Sequence, residues 1–363
     1  MSSDSISFLL NWHATPYHAP LFLAQHHGFF KDEGVKVAIL EPNDASDVTE
    51  LIGRGSADMG CKAMVHTIAA KARGFGVTSI GTILDEPFTG LLYLKGGVEG
   101  HPHGIEKDHF TSLKGKRVGY VGEFGRIQCL ELAQKHGVAE GTGPDEVEFV
   151  RVGMDIVGAL TEGRIDAGVG IESVGGVELE QWCDSVGRPT SDVKLIRIDE
   201  LAELGCCCFC SILVIANDAF LAANKEKVAA VMRALKRGAD LLHADPAQAW
   251  LDLQVVKKQF RSSVVGEGKP NFWAKMFERC YPFMSHDLVN VERDWKKVTA
   301  YCQRINVCPE GFEANFTNEF VQWEHEAEPV DPEANQAALA HEQQEIRTNG
   351  GVLSSAAPVA VAA

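Results

Sequence analysis

Short apolar runs alternate with helical stretches along the first half of the chain, and that alternation restricts it to parallel α/β architectures. Ile6–Leu10 reads as a strand, Ala19–His27 as a helix ending near Gly28, Val35–Leu40 as a second strand, and Asp47–Ile52 as a helix with Ser46 as its N-cap. Val77–Leu84 and Gly90–Lys95 read as further strands, and Gly96–His109, rich in Gly and His, reads as a linker. A second α/β unit follows. Its strands are Arg117–Val121, Val147–Val152, Ala167–Ile171 and Lys194–Ile198; its helices are Arg126–His136 and Ile156–Glu162. Cys206–Ala216 is a long apolar run, consistent with a strand crossing back to the first unit. Asn217-Asp218 then caps a helical region through Leu242, followed by Pro246–Phe260. The expected fold is therefore α/β with two lobes, a cleft between them and a helical C-terminal part on the first lobe. Residues 1–95 and 213–325 make up lobe 1, 96–212 lobe 2, and 326–363 an acidic, then Ala/Val/Ser-rich tail that is expected to be partly disordered.

A length of 363 residues, with 45% hydrophobic and 23% charged residues, allows two domains with ample core. The net charge of −16 argues against nucleic acid or an anionic membrane as a partner, because phosphate contacts need a basic surface. No apolar run approaches the ~20 residues of a membrane helix, and Met1–Ser5 has no basic n-region, so a cytoplasmic protein is expected.

Lys62-Ala63-Met64-Val65-His66 follows Ala57-Asp58-Met59-Gly60 and reads as a strand turning into a helix. On a helix, Lys62 and His66 would share one face. Lysine can form a Schiff base with an aldehyde, and imidazole titrates near neutrality. Gly122-Glu123-Phe124-Gly125 lies between a strand and a helix, where backbone N–H groups and a positive dipole end can hold a phosphate. An aldehyde held in one lobe and a phosphate in the other describes pyridoxal 5'-phosphate. The same segments also fit two solvated helix residues and an ordinary turn.

Ten cysteines are present, four of them within Cys206-Cys207-Cys208-Phe209-Cys210. Adjacent cysteines pair poorly as disulfides. On a strand, Cys206, Cys208 and Cys210 share one face and Cys207 takes the other. Two readings stay open: soft ligands for iron or copper, or small buried hydrophobes. Asn11-Trp12 ends the first strand, where ligand-binding residues collect in open sheets, and Trp12 could stack on a pyridine ring. Asp85-Glu86-Pro87 and Glu172 close other strands and could offer carboxylates to the cleft. His13, His18, His26 and His27 read as surface histidines or as supplementary metal ligands.

On these segments the chain resembles the fungal 4-amino-5-hydroxymethyl-2-methylpyrimidine phosphate synthase family of thiamin biosynthesis. The resemblance rests on Leu9-Leu10-Asn11-Trp12, Lys62–His66, Asp85-Glu86-Pro87-Phe88-Thr89-Gly90, Gly119–Gly125, the cysteine run and Arg293-Asp294-Trp295-Lys296-Lys297, and extends to about Trp323. It implies the two-lobed fold of type II periplasmic binding proteins, usually as a homodimer. It further implies that Lys62 holds pyridoxal phosphate and that His66 is consumed to build the pyrimidine. Gly122, Glu123, Phe124 and Gly125 would bind the phosphate, and Cys206, Cys207, Cys208 and Cys210 would be associated with iron. The implied reaction needs iron and oxygen and runs once per protein molecule. Two rivals are a small-molecule (pyrimidine) binding protein of the same fold and a multi-turnover pyridoxal enzyme.

Overall fold

The computed structural model describes residues 5–101, 105, 109–201, 210–261 and 272–323. Cys206, Cys207, Cys208 and the tail from Glu326 lie outside the described residues. Among the described residues, eleven strands form two sheets. In chain order they are β1 (Ile6–Leu9), β2 (Val37–Leu40), β3 (Met59–Ala63), β4 (Val77–Leu84), β5 (Thr89–Leu94), β6 (Lys116–Tyr120), β7 (Ala139–Glu140), β8 (Glu146–Arg151), β9 (Ala167–Ile171), β10 (Val193–Arg197) and β11 (Ile212–Asn217). The first sheet runs β2-β1-β3-β11-β4 and the second β10-β5-β9-β6-β8-β7.

The parallel core of each sheet follows the expected alternation: β1 pairs in parallel with β2 and β3, and β6 with β8 and β9. The crossing strands do not. β11 returns antiparallel between β3 and β4, and β5 runs antiparallel to β9 and β10. The sheets are thus mixed, because a chain that leaves one lobe and later re-enters it must reverse direction there. β5 is already bonded into the second sheet, so the first crossing is Asp85–Phe88 and lies before the expected boundary at residue 96. An apolar run with every residue buried carries no mark of which sheet it joins.

Local details depart from the sequence reading where a turn tightens. Asp44, not Ser46, is the cap: its carboxylate accepts from the Ser46 N–H and closes a short 3-10 turn, Ala45–Asp47, ahead of helix Val48–Gly53. The helix expected from Arg126 starts three residues earlier and spans Glu123–Lys135. β3 approaches β1 so closely at Leu9↔Gly60 that a Cβ on Gly60 would collide with the Leu9 carbonyl oxygen; only glycine permits that pairing.

The C-terminal helices brace lobe 1. Helix Lys225–Ala244 turns Val228, Val231, Leu235 and Leu242 inward, a helical stripe that packs on helix Ala19–His26. Helix Glu292–Arg304 buries Trp295, Val298 and Cys302 in the core that backs helix Met64–Ala72, which carries His66. Arg279, on helix Phe272–Cys280, ion-pairs with Glu172 and, at 2.8 Å, with Glu180 of the other lobe. That contact bolts the lobes together. It also commits Glu172 to a guanidinium rather than to the cleft.

Candidate functional site

A cleft of about 160 Å³ lies between the two sheets. A single buried water needs roughly 10–15 Å³ by this measure, so the space is more than ten times that, enough for one small ring and its substituents. Asn11, Trp12, Tyr17, Ala45, Lys62, His66 and Cys210 line it together with Ile212 from the first lobe's sheet; Val121, Met154, Ile156, Gly170 and Glu178 line it from the second.

Lys62 sits on β3 and not on the helix. Ala63 has extended backbone and serves as N-cap, and helix Met64–Ala72 begins after it. The expected shared helical face is therefore replaced by a strand end and a first helical turn, which still bring both side chains to one cleft. The strand continues to Ala63 because β11 pairs with it through Ile212↔Ala63 and Leu213↔Lys62, a partner invisible in the local sequence.

The Lys62 side chain is 5% exposed and its Nζ donates to the Ala45 carbonyl. Burial pushes its pKa down to about 8, against the pull of the Asp44 and Asp47 carboxylates. His66 is half-buried, and desolvation, with the charges of Lys62 and Arg73 adding to it, holds its pKa well below the usual imidazole range. The ring is neutral at pH 7. It meets the edge of Phe124 from the other lobe at 5.2 Å between centroids, with planes 62° apart.

The glycine turn meets the lysine loop. Gly122 stands against Ser46, where an added Cβ would come within 2.6 Å of the serine Cβ, and Arg151 pairs with Asp44 at 2.9 Å across the same gap. Gly122 is the N-cap of helix Glu123–Lys135 and has no side chain to bond the helix's first N–H groups. Of the expected phosphate turn, none of Gly122, Glu123, Phe124 and Gly125 lines the cleft itself; Phe124 touches His66 and Gly122 stands against Ser46 at the lobe contact.

Asn11 is held by a hydrogen-bond relay. The Thr15 N–H donates to His18 Nδ1 at 3.2 Å, which leaves the ring proton on Nε2 to donate to Asn11 Oδ1 at 3.0 Å. Asn11 Nδ2 in turn donates to the Tyr17 hydroxyl at 3.0 Å. Burial presses His18 down to about 3, so this tautomer persists through the physiological range. His18 is therefore a fixed core histidine and not a metal ligand.

Two polar lining residues escaped the sequence reading. Tyr17 sits in a 3-10 turn that reads only as helix approach. Glu178 lies in an acidic helical stretch just after Gly175-Gly176-Val177, and burial raises its carboxyl to about 7. Asp85 faces a separate cavity with Glu86, Asp294 and Arg293, where desolvation and the neighbouring acids raise it to about 7.

Of the four expected iron-associated cysteines, Cys210 lines the cleft and the other three lie outside the described residues. Cys210 precedes β11, which starts at Ile212, so the expected strand does not extend back to it. Among the described residues, no trio of His, Cys, Asp and Glu donors lines the cleft at ligating distance.

Comparison with known proteins places this architecture. The description "NMT1/THI5 like" matches residues 15–249. The chain belongs to the NMT1/THI5-like family. Full-length relatives agree with that. A protein of Uromyces fabae is 54% identical over 98% of this chain and 99% of its own, and one of Aspergillus parasiticus is 53% identical over 97% of each. A relative in Schizosaccharomyces pombe is 49% identical over 98% of this chain and 96% of its own. All three are named 4-amino-5-hydroxymethyl-2-methylpyrimidine phosphate synthase.

Among solved structures, the alkanesulfonate-binding protein SsuA from Xanthomonas axonopodis pv. citri, bound to MOPS, superposes with a TM-score of 0.59 at 16% identity, covering 85% of this chain and 96% of that one. A Candida albicans protein with the generic periplasmic binding protein structural fold superposes at 0.51 and 14% identity, covering 90% and 99%. The NMT1/THI5-like chain therefore has the periplasmic-binding-protein fold, as its sequence implied. Among the described residues, no helix is long and apolar enough to cross a membrane.

Proposed function

We propose that this protein makes 4-amino-5-hydroxymethyl-2-methylpyrimidine phosphate from pyridoxal 5'-phosphate and its own His66, with iron and oxygen, once per molecule. The reading rests above all on one observation: a buried lysine with a depressed pKa and a neutral imidazole share one interlobe cleft. The names of the full-length relatives support the product.

The cleft's donor set fits pyridoxal phosphate. Lys62 Nζ is the group that would hold the carbonyl, and the uncapped N–H groups behind Gly122 suit a phosphate. Trp12 offers a face for the ring, and the Thr15–His18–Asn11 relay fixes the amide that would orient its polar edge. When bound, pyridoxal phosphate would supply a reactive ring that no side chain has. The protein's own part is positional. It keeps His66 neutral and sets imidazole beside the ring as a near-attack partner. Cys206, Cys207, Cys208 and Cys210 are soft donors suited to iron, which would supply the oxidation that opening two aromatic rings requires. A cytoplasmic homodimer belongs to the same reading.

Mass spectrometry of the Lys62–His66 peptide tests it, after aerobic incubation with pyridoxal phosphate and iron. The expected result is mass loss at His66 with product never exceeding one per chain. An intact histidine alongside product would end the single-turnover reading. Product in excess of protein would instead favour a conventional pyridoxal enzyme, and an unmodified bound pyrimidine a binding protein.

The phosphate turn has its own test. Gly122→Ala forces Ser46 to move, because the new Cβ would lie 2.6 Å from the serine Cβ. Retention of pyridoxal phosphate is expected to fall about tenfold, or ~1.4 kcal/mol, with pyridoxal lacking the phosphate much less affected. Equal losses for both ligands would remove the turn from phosphate binding.

A further inference from the structure

We propose that His26, His27 and Asp252 form a site for a divalent transition-metal ion of the zinc, nickel or copper class. It would clamp helix Ala19–His26 to helix Pro246–Val256. The three donor groups lie within 4.8 Å of one another. His27 Nε2 stands 2.7 Å from Asp252 Oδ2, and His26 Nε2 stands 4.0 Å from Asp252 Oδ1.

The carboxylate is prepared for the task. It is nearly buried, and Gln248 Nε2 donates to its Oδ1 at 2.8 Å, so an outer hydrogen bond orients it as such partners orient metal ligands. The two rings are also aimed. They stand edge to face, 4.9 Å apart at 82°, and the His27 ring stacks on Phe29 at 5.5 Å. Each imidazole is about a third exposed, which gives an ion a path in and leaves room for a water as fourth ligand. A tetrahedral ion with bonds of about 2.0–2.1 Å spaces its donors roughly 3.4 Å apart. The His27 pair would open slightly and the His26 pair close slightly, movements that rings a third exposed can make.

Two imidazoles and one carboxylate suit borderline ions better than calcium or magnesium, which take oxygen ligands. The location is separate from the cleft. Tyr17 lines the cleft just before this helix begins at Ala19, and His26 is its last residue, about 10 Å further along the axis. The donor set contains no sulfur, which distinguishes it from the cysteine run.

The test uses the full chain, cobalt(II) as probe and the double variant His26→Asn/His27→Asn. Both histidines are exposed at a helix end, so the fold should survive; if the double variant does not fold, His26→Asn alone takes its place. Titration is expected to give one more equivalent of cobalt in the unaltered chain, with at least a tenfold affinity loss at that site in the variant. The difference spectrum should show d–d bands without thiolate charge transfer. Identical stoichiometry in both chains overturns the site, and so does a difference spectrum dominated by thiolate charge transfer.

Discussion

Lys62→Arg is expected to abolish covalent capture of pyridoxal phosphate, lowering the reductively trapped fraction by about a hundredfold or more. Guanidinium stays charged and cannot add to a carbonyl, whereas the lysine amine is poised to do so. With a pKa near 8, about a tenth of Lys62 is neutral at pH 7; at the ordinary 10.5 the share would be roughly one in three thousand. Burial at the end of β3 makes the difference, and the Asp44 and Asp47 carboxylates limit it. The direction of the pH dependence follows. Only the unprotonated amine reacts, so the capture rate should rise nearly tenfold between pH 6 and 7 and level off above about pH 9. Asp44→Asn removes a carboxylate that favours the charged amine, and should move the midpoint to lower pH. Intact-protein mass after reductive trapping, followed across pH, checks all three. Undiminished capture in Lys62→Arg would transfer the anchoring role to another lysine.

The lobes were legible because each parallel core writes its own strand–helix alternation into the chain, as Ile6–Leu9 through Val37–Leu40 and Lys116–Tyr120 through Ala167–Ile171 do. The crossings were not. β5 and β11 are buried at every position, and such strands carry no periodicity that names their neighbours. The same blindness hid the end of β3, since β11 extends that strand past Lys62 by pairing from more than a hundred residues away. His66 and Lys62 nevertheless reach one cleft, because a strand end and the helix that follows it point to the same side of an open sheet. Glu178 and Tyr17 could not be found from sequence. Their role comes from burial, which tertiary packing decides and the local sequence does not show. The Asn11 relay was half visible: Asn11 stood at a strand end, but His18 looked like a surface group until Thr15 and Asn11 closed around it.

His66→Asn separates binding from chemistry. Asparagine lacks the ring that the proposed reaction consumes, so product is expected to fall below one part in a hundred of the unaltered chain's single equivalent. Capture at Lys62 is expected to stay within about twofold. The reason is electrostatic: His66 is neutral at pH 7, so removing it takes no charge from beside the amine, and the Lys62 midpoint should remain near 8. The lost contact is one edge-to-face ring pair with Phe124, worth about 0.5–1.5 kcal/mol, too little to open lobes that Arg279, Glu172, Glu180, Arg151 and Asp44 also tie together. A histidine that merely positioned the cofactor would behave differently, weakening capture and product together. Product formed by His66→Asn at a level comparable to the unaltered chain would show that the imidazole is not a source of the new ring, whatever Lys62 binds.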